Sequence, residues 1–137
     1  MTLRPKPSAK RLEIEHLRPR AIKPRARNPR THSQAQIGKL MEAIRKFGFT
    51  APVLVDAETC LIAGHGRLEA ALKLGLCEVP AIRIAHLSPR EIQALVIADN
   101  QLAALSKWDD EILKLELGDL IFDDEIDFSP SITGFEG

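Results

Sequence analysis

The chain has 137 residues, 45% of them apolar but only 4% aromatic, enough for one domain whose core Ile, Leu, Val and Ala must fill. No apolar run reaches the length of a membrane span, and no apolar leader follows the basic N-terminus, which argues against membrane-spanning or exported classes and for a cytoplasmic one. The net charge of zero hides a split: residues 1–50 hold 13 Lys/Arg against 3 Asp/Glu, and residues 101–137 hold 2 against 10. A basic end of this kind suits an anionic partner, nucleic acid first; neutralisation of one end by the other within the fold is the alternative.

In chain order, residues 1–10 read as a disordered basic arm, because Pro5 and Pro7 prevent regular structure. Leu12 and Ile14 alternate as in a short strand. Residues 18–32 form a loop with three prolines and a dense run of Lys and Arg. Ser33 opens a helix, with Gln36 at capping-box spacing, and Ile37, Leu40, Met41, Ile44 and Phe47 recur at helical intervals up to Gly48. Residues 52–56 predict a buried strand and 60–63 its hairpin partner. A helix follows at once and stops near Gly75, and Val79 to Ile84 is another strand. Ser88, Pro89 and Glu91 start a third helix. Asp109-Asp110-Glu111 opens a fourth, with Ile112, Leu113, Leu117, Leu120 and Ile121 as its face. Cys60 and Cys77 lack metal spacing and read as buried free thiols in a reducing compartment. The order of elements predicts a small α/β (α+β) domain with a mixed sheet and packed helices. Its expected divisions are the arm 1–10, the domain 11–105, a helical extension 106–122 and an acidic tail 123–137.

Three clusters carry chemistry. Gly64-His65-Gly66-Arg67 stands where a strand becomes a helix. Glycines permit positive φ and close approach, a helix N-terminus offers unpaired N–H groups, and an arginine in the first turn completes an anion cradle, most naturally for phosphate. The stretch is neither a dinucleotide fingerprint, since Glu69 replaces the third glycine, nor a Walker loop. A tight turn with an exposed arginine remains the plain alternative. His65 is open to acid–base chemistry, to a phosphate bond, or to a simple turn role. Asp99 is the second cluster: the stripe Ile92, Leu95, Val96, Asp99, Leu102, Ala103 places a carboxylate on the inward face, beside Asn100, where it needs a partner such as Arg67 or a metal-bound phosphate. Alternatively the helix bends there and the pair caps a new turn. Asn28-Pro29-Arg30-Thr31-His32, just before a helix, is the third, and its plain reading is a solvated turn.

Together these clusters resemble the N-terminal domain of ParB, the chromosome- and plasmid-partition protein, within the ParB/sulfiredoxin superfamily. The similarity runs over about residues 12–105. It rests on Asn28-Pro29-Arg30, Phe47-Gly48, Pro52-Val53-Leu54-Val55, Ile62-Ala63-Gly64 with Arg67 and Ala70-Ala71, Val79-Pro80-Ala81-Ile82, and Asp99-Asn100. In style it is similar to ParB-like domains of phage and mobile-element proteins, many of which precede a DNA-adenine methyltransferase domain. Asn28–Ser33 and Ala103–Asp109 carry that likeness. The resemblance implies that Gly64, His65, Gly66, Arg67, Asn28, Arg30, Asp99 and Asn100 face a nucleotide, CTP or ATP. It also implies that Asp99 and Asn100 help hold Mg²⁺ through its phosphates. Two departures qualify it, and one further likeness stands beside them. The usual G-E-R-R corner is Gly64-His65-Gly66-Arg67 here, with one arginine lost and His65 in place of glutamate. Neither Cys60 nor Cys77 occupies the corner where sulfiredoxins place their catalytic cysteine, which argues against sulfinic-acid repair. Relatives that phosphorylate free serine share the glycine-histidine pair.

Three readings follow. The first is a DNA-associated module with a nucleotide-binding corner, serving a DNA-modification or partition system. Its DNA phosphate contacts would come from Arg18, Arg20, Lys23, Arg25, Arg27 and Arg30. The second is an enzyme, either an NTP hydrolase, a phosphotransferase or a nuclease, with His65 as the candidate catalytic residue. The third is a scaffold that forms a homodimer. No DNA-reading helix-turn-helix and no methyltransferase motif occurs in the 137 residues, so the resemblance implies a further domain beyond residue 137 or a stand-alone module.

Overall fold

The computed structural model describes residues 11–28 and 31–135. The expected basic arm, Pro29 and Arg30 lie outside the described residues. Four strands form one mixed sheet: β1 (Ile14–Leu17), β2 (Val53–Asp56), β3 (Leu61–Ala63) and β4 (Val79–Ile84), in the order β1-β4-β2-β3. β1 runs antiparallel to β4, β4 parallel to β2, and β2 antiparallel to β3. Four helices accompany it: α1 (Gln34–Phe47), α2 (His65–Leu74), α3 (Pro89–Leu105) and α4 (Asp110–Ile121). The expected mixed sheet with packed helices is therefore present, and each expected strand lies within a residue or two of its place.

Local chemistry explains the boundaries. Ser33 caps α1 by accepting from the Gln36 amide at 3.1 Å, but the box is half formed, because the Gln36 side chain bonds His32 Nδ1 at 3.2 Å instead. Ser88 and Glu91 make the full reciprocal box at α3. Asp109 caps α4 through the Ile112 amide at 3.2 Å. Gly48 and Gly75 end α1 and α2 at positive φ. In the β2–β3 turn, Asp56 Oδ1 accepts from the amides of Glu58 and Cys60, both at 2.9 Å. Arg83 braces the same turn by donating to Asp56 O, Ala57 O and Thr59 Oγ1, while a fork to Glu15 ties β1 to β4.

The core follows the period of two along the strands. Val53, Val55, Val79 and Ala81 point to one face and pack with Ile22, Leu61, Leu68 and Ala71 under α2 and the basic loop. Ile84 points to the other face and packs with Ile62, Ile92 and Val96 of α3. α1 lies across α2, with Ile37 fully buried. Two expectations fail on burial. Cys77 is exposed and Cys60 only partly buried, because Cys60 lies in the turn leading into β3 and Cys77 in the loop between α2 and β4. The apolar face expected for α4 is only partly covered, with Ile112 and Ile121 exposed and Leu113, Leu117 and Leu120 half-buried. Residues 122–135 return to α1, where Lys39 donates to Ser131 O at 3.2 Å and Lys46 to Asp127 O. Trp108 meets the Phe135 ring edge to face at 5.1 Å.

Candidate phosphate-binding cleft

The junction of β3 and α2 turns on one residue. Gly64, at φ +101°, is the N-cap of α2, and His65, Gly66 and Arg67 are its first three residues. A glycine cap supplies no side-chain acceptor. The first intrahelical bond runs from the Leu68 amide to Gly64 O at 2.8 Å, so the three amides before it belong to the uncapped helix end. Their partial positive charge is the first element of the site.

The two glycines do different work. A Cβ on Gly64 would stand 2.7 Å from Val53 Cγ1 and 3.1 Å from Arg67 Nη2. Glycine is therefore required by both φ and space. A Cβ on Gly66 would stand 3.0 Å from Leu40 Cδ1 and 3.2 Å from the His32 ring. Gly66 is buried and lets α1 and His32 come close to α2. Close helix approach, rather than ligand approach, accounts for that glycine.

Arg67 is not the exposed arginine of the plain reading. It is half-buried, with Nε donating to Ala51 O at 3.1 Å and Nη2 to Pro52 O at 3.2 Å. These bonds tie the first turn of α2 to the entry of β2. Burial lowers the guanidinium pKa, and the Asp99 carboxylate opposes that shift. Asp99 therefore faces Arg67 across the cleft, but no ion pair closes between them among the described residues.

The expected inward position of Asp99 is corrected. Asp99 is exposed, as are Leu102 and Ala103, because α3 is covered by the sheet only around Ile92 and Val96. The carboxylate borders an open cleft and not a core. Nor does the pair cap a new turn: α3 is continuous to Leu105, and Asn100 Nδ2 donates to Val96 O at 2.8 Å.

These groups line one cleft of about 290 Å³. Asn28, His32 and Gln36 form one wall, Gly64 to Arg67 the floor, and Asp99, Asn100 and Ala103 the far wall. Three segments far apart in sequence thus meet, as expected for Asn28, the glycine-arginine corner and Asp99-Asn100. His32 and Gln36 were not singled out as site residues, although His32 ends the Asn28 cluster and Gln36 was visible as a cap partner. Among the described residues no group of three or more His, Cys, Asp or Glu could hold a metal. Neither cysteine lines the cleft.

His65 Nε2 is buried and has no hydrogen-bond partner. Its pKa is lowered, first by desolvation and then by the nearby His32 and Arg25, so the ring is neutral near pH 7.

The basic loop runs lengthwise along α2. Arg18 and Arg20 border a groove with Gly75 and Cys77 at the C-terminal end of α2, whereas Asn28 stands at its N-terminal end. Arg18, Arg20, Lys23 and Arg27 are exposed, and Arg25 is partly buried. The expected basic cluster is therefore spread out rather than gathered at the cleft, and of the loop's described residues it is Asn28 that lines the cleft.

The fold agrees with comparisons to known proteins. The chain is 40% identical over 85 residues to the ParB-like nuclease domain-containing protein YnaK of Escherichia coli, covering 62% of this chain and 98% of that one. It is 36% identical over 84 residues to the chromosome-partitioning protein Spo0J of Thermus thermophilus, covering 58% of this chain but only 31% of the relative. The chain thus spans about a third of that longer relative. Among solved structures, the C-terminally truncated partition protein ParB from Caulobacter crescentus, complexed with CTP-gamma-S, superposes with a TM-score of 0.68 at 20% identity. That match covers 89% of this chain and 69% of the other. Sulfiredoxin from Arabidopsis thaliana gives 0.50 at 25%, covering 62% and 97%. Among the described residues no helix is long and apolar enough to cross a membrane. The ParB N-terminal domain profile matches residues 5–101, and with the mixed sheet, the glycine corner and the facing Asp99-Asn100 pair in place, the chain belongs to the ParB N-terminal domain family.

Proposed function

We propose that the chain is a nucleotide-binding module of the ParB type that works in association with DNA. The observation that carries the nucleotide half is the uncapped N-terminus of α2, opening into a cleft beside Arg67 and Asn28. Such an end binds phosphate through backbone amides and the helix dipole, and Arg67 adds a fixed cation. The ParB of Caulobacter, which shares the fold, was solved with CTP-gamma-S, and this supports CTP as the ligand, with ATP the other triphosphate to be tested. Mg²⁺ would arrive with the phosphates, with Asp99 and Asn100 on the facing wall, since magnesium sites commonly combine one or two protein ligands with substrate phosphates. Gly64, His65, Gly66, Arg67, Asn28 and Arg30 complete the proposed phosphate contacts.

The DNA half rests on the basic loop and the names of the partition and nuclease-domain relatives. Arg18, Arg20, Lys23 and Arg27 are exposed and suit phosphate contacts without base reading. Binding through them weakens steeply with salt. Sequence reading would then fall to a separate DNA-reading or DNA-modifying domain, of the kind that accompanies phage and mobile-element members.

A nuclease reading is weaker, because Asp99 is the single carboxylate among the described residues that line the cleft, and metal-assisted phosphodiester cleavage commonly uses several. Calorimetric titration of CTP, ATP, GTP and ADP with Mg²⁺ tests the site in wild type and Arg67→Lys. One nucleotide binding to wild type, and weakened in the variant with an unchanged circular dichroism spectrum, supports it. No binding to wild type overturns it.

A further inference from the structure

The nucleotide reading leaves one atom unexplained. His65 Nε2 is the only buried side-chain nitrogen or oxygen without a hydrogen-bond partner among the described residues. Such an atom is destabilising relative to a bonded one. Nothing in the fold requires a histidine at the first position of α2, where any residue that tolerates a helix start would serve.

His65 lies in the wall between two cavities. One is the cleft already described. The other, about 310 Å³, lies beneath the basic loop and is lined largely by Ile22, Pro24, Leu61, Leu68 and Leu72. Asn28, His32 and His65 border both. The groups around the imidazole come from every neighbouring element. His32 precedes α1, and Arg25 and Asn28 belong to the basic loop. Glu69 of α2 borders the cavity beneath the loop, and Arg67 and Asp99 stand on the floor and far wall of the cleft. Two of these, His32 and Arg25, act on His65 as positive neighbours. With no anion present the site therefore opposes an imidazolium. A triphosphate at the α2 N-terminus would place several negative charges within a few ångströms of the ring, in a partly desolvated setting where a charge pair is stronger than in water. The balance then reverses.

We propose that His65 is a proton-linked binding residue of the cleft: the neutral imidazole takes one proton from solvent when a nucleotide phosphate occupies the α2 N-terminus. The proposal rests on the nucleotide reading and adds a coupling to it. Binding becomes tighter as pH falls from 8 to 6, with proton uptake greatest near the ordinary histidine range. A change of one unit in the ring's pKa on binding corresponds to at most a tenfold change in affinity.

The test is calorimetry of the full chain with the Mg²⁺-nucleotide that binds, in buffers of different ionisation enthalpy, at pH 6, 7 and 8. Wild type and His65→Gln are compared, so that titration of the nucleotide's own phosphate cancels. The expected result is a net proton uptake at pH 6–7 in wild type and an affinity several-fold higher at pH 6 than at pH 8. Both effects are reduced in His65→Gln. Equal uptake in the two proteins, or none in wild type, overturns the coupling while leaving the nucleotide site standing. Failure of every nucleotide to bind wild type overturns both. A second measurement needs no variant at position 65: the imidazole Cε1–H resonance of His65 is titrated by NMR with and without nucleotide, with His32→Gln used for assignment. Its midpoint must rise on binding; an unmoved midpoint overturns the proposal.

Discussion

The sheet with its covering helices and the C-terminal arm are built from the same apolar residue types, yet they end in opposite environments. Val53, Val55, Leu61 and Val79 are at most 1% exposed, whereas Leu102, Leu105, Leu115 and Phe122 are 63–87% exposed. The reason is reach. The strands have three to six residues, about 10–20 Å, and α3 has 17, about 25 Å. Its first half finds the sheet at Ile92 and Val96, and its second half runs past it. Helical periodicity therefore describes a face without saying whether anything covers it. The cleft lies where these two regions meet, with its floor on the rigid part and its far wall on the overrunning helix. If a second copy covers that stripe, Leu102→Ser shifts sedimentation toward the monomer relative to wild type; equal sedimentation of the two proteins removes the dimer expectation.

The largest expected contrast is between equivalent truncations in the two regions. Leu61→Ala, in the core under α2, costs about 2–5 kcal/mol of stability in urea denaturation. Leu115→Ala, on the exposed α4 face, changes it by no more than about 0.5 kcal/mol. A large effect at Leu115 would mean that α4 is covered in solution.

Glycine replacement sharpens the same comparison at the site. Gly64→Ala combines a positive φ with a 2.7 Å approach to Val53 and is expected to cost at least ~2 kcal/mol and to weaken nucleotide binding. Gly118→Ala, in the interior of α4 with nothing within 4 Å of the added methyl, is expected to stabilise by about 0.5–1 kcal/mol. If both glycines tolerate alanine equally, the corner is not held as described.

Loss of a cap is smaller. Ser88→Ala removes one arm of the α3 capping box and costs about 1 kcal/mol, read as a shift in the denaturation midpoint. Asp109→Ala removes the α4 cap and should loosen only the arm, seen as faster amide exchange in residues 110–121 with little change in the global midpoint. A comparable global shift in both variants would show that arm and core unfold as one unit.

The finest effect is pH dependence without ligand. The folded protein holds His65 below its ordinary pKa of 6.5. The unfolded chain therefore binds the proton first. Its contribution to stability is present above the ordinary histidine range and is lost as pH falls through the folded value. Melting temperature from pH 8 to 5 should fall more steeply in wild type than in His65→Gln. Identical slopes would remove the desolvated imidazole from the account.

Much of the fold was legible because its signals are local. The Ser88 box, the Gly48 and Gly75 stops and the strand 79–84 each depend on residues within a few positions of one another. Two of the three site clusters were legible for the same reason, since glycine, arginine and asparagine at element ends announce themselves, and Asp99 was legible as a carboxylate in an otherwise apolar helical stripe. What they do to one another was not. Asp99 reads as inward from its stripe but is exposed, because the second half of α3 runs past the sheet and borders the open cleft. The split of labour between Gly64 and Gly66 depends on Val53, Leu40 and His32, all at least eleven residues away.

By itself, then, the sequence determined the elements, their caps, the glycine-arginine corner and the family, because hydrogen bonds between near neighbours and periodic burial are written in short windows. Only the tertiary structure decided that Arg67 is tethered to the entry of β2, that His65 is desolvated between two cavities, and that the second half of α3 overruns its sheet. Those outcomes depend on which distant surfaces arrive within a few ångströms, and no short window of residues contains that information.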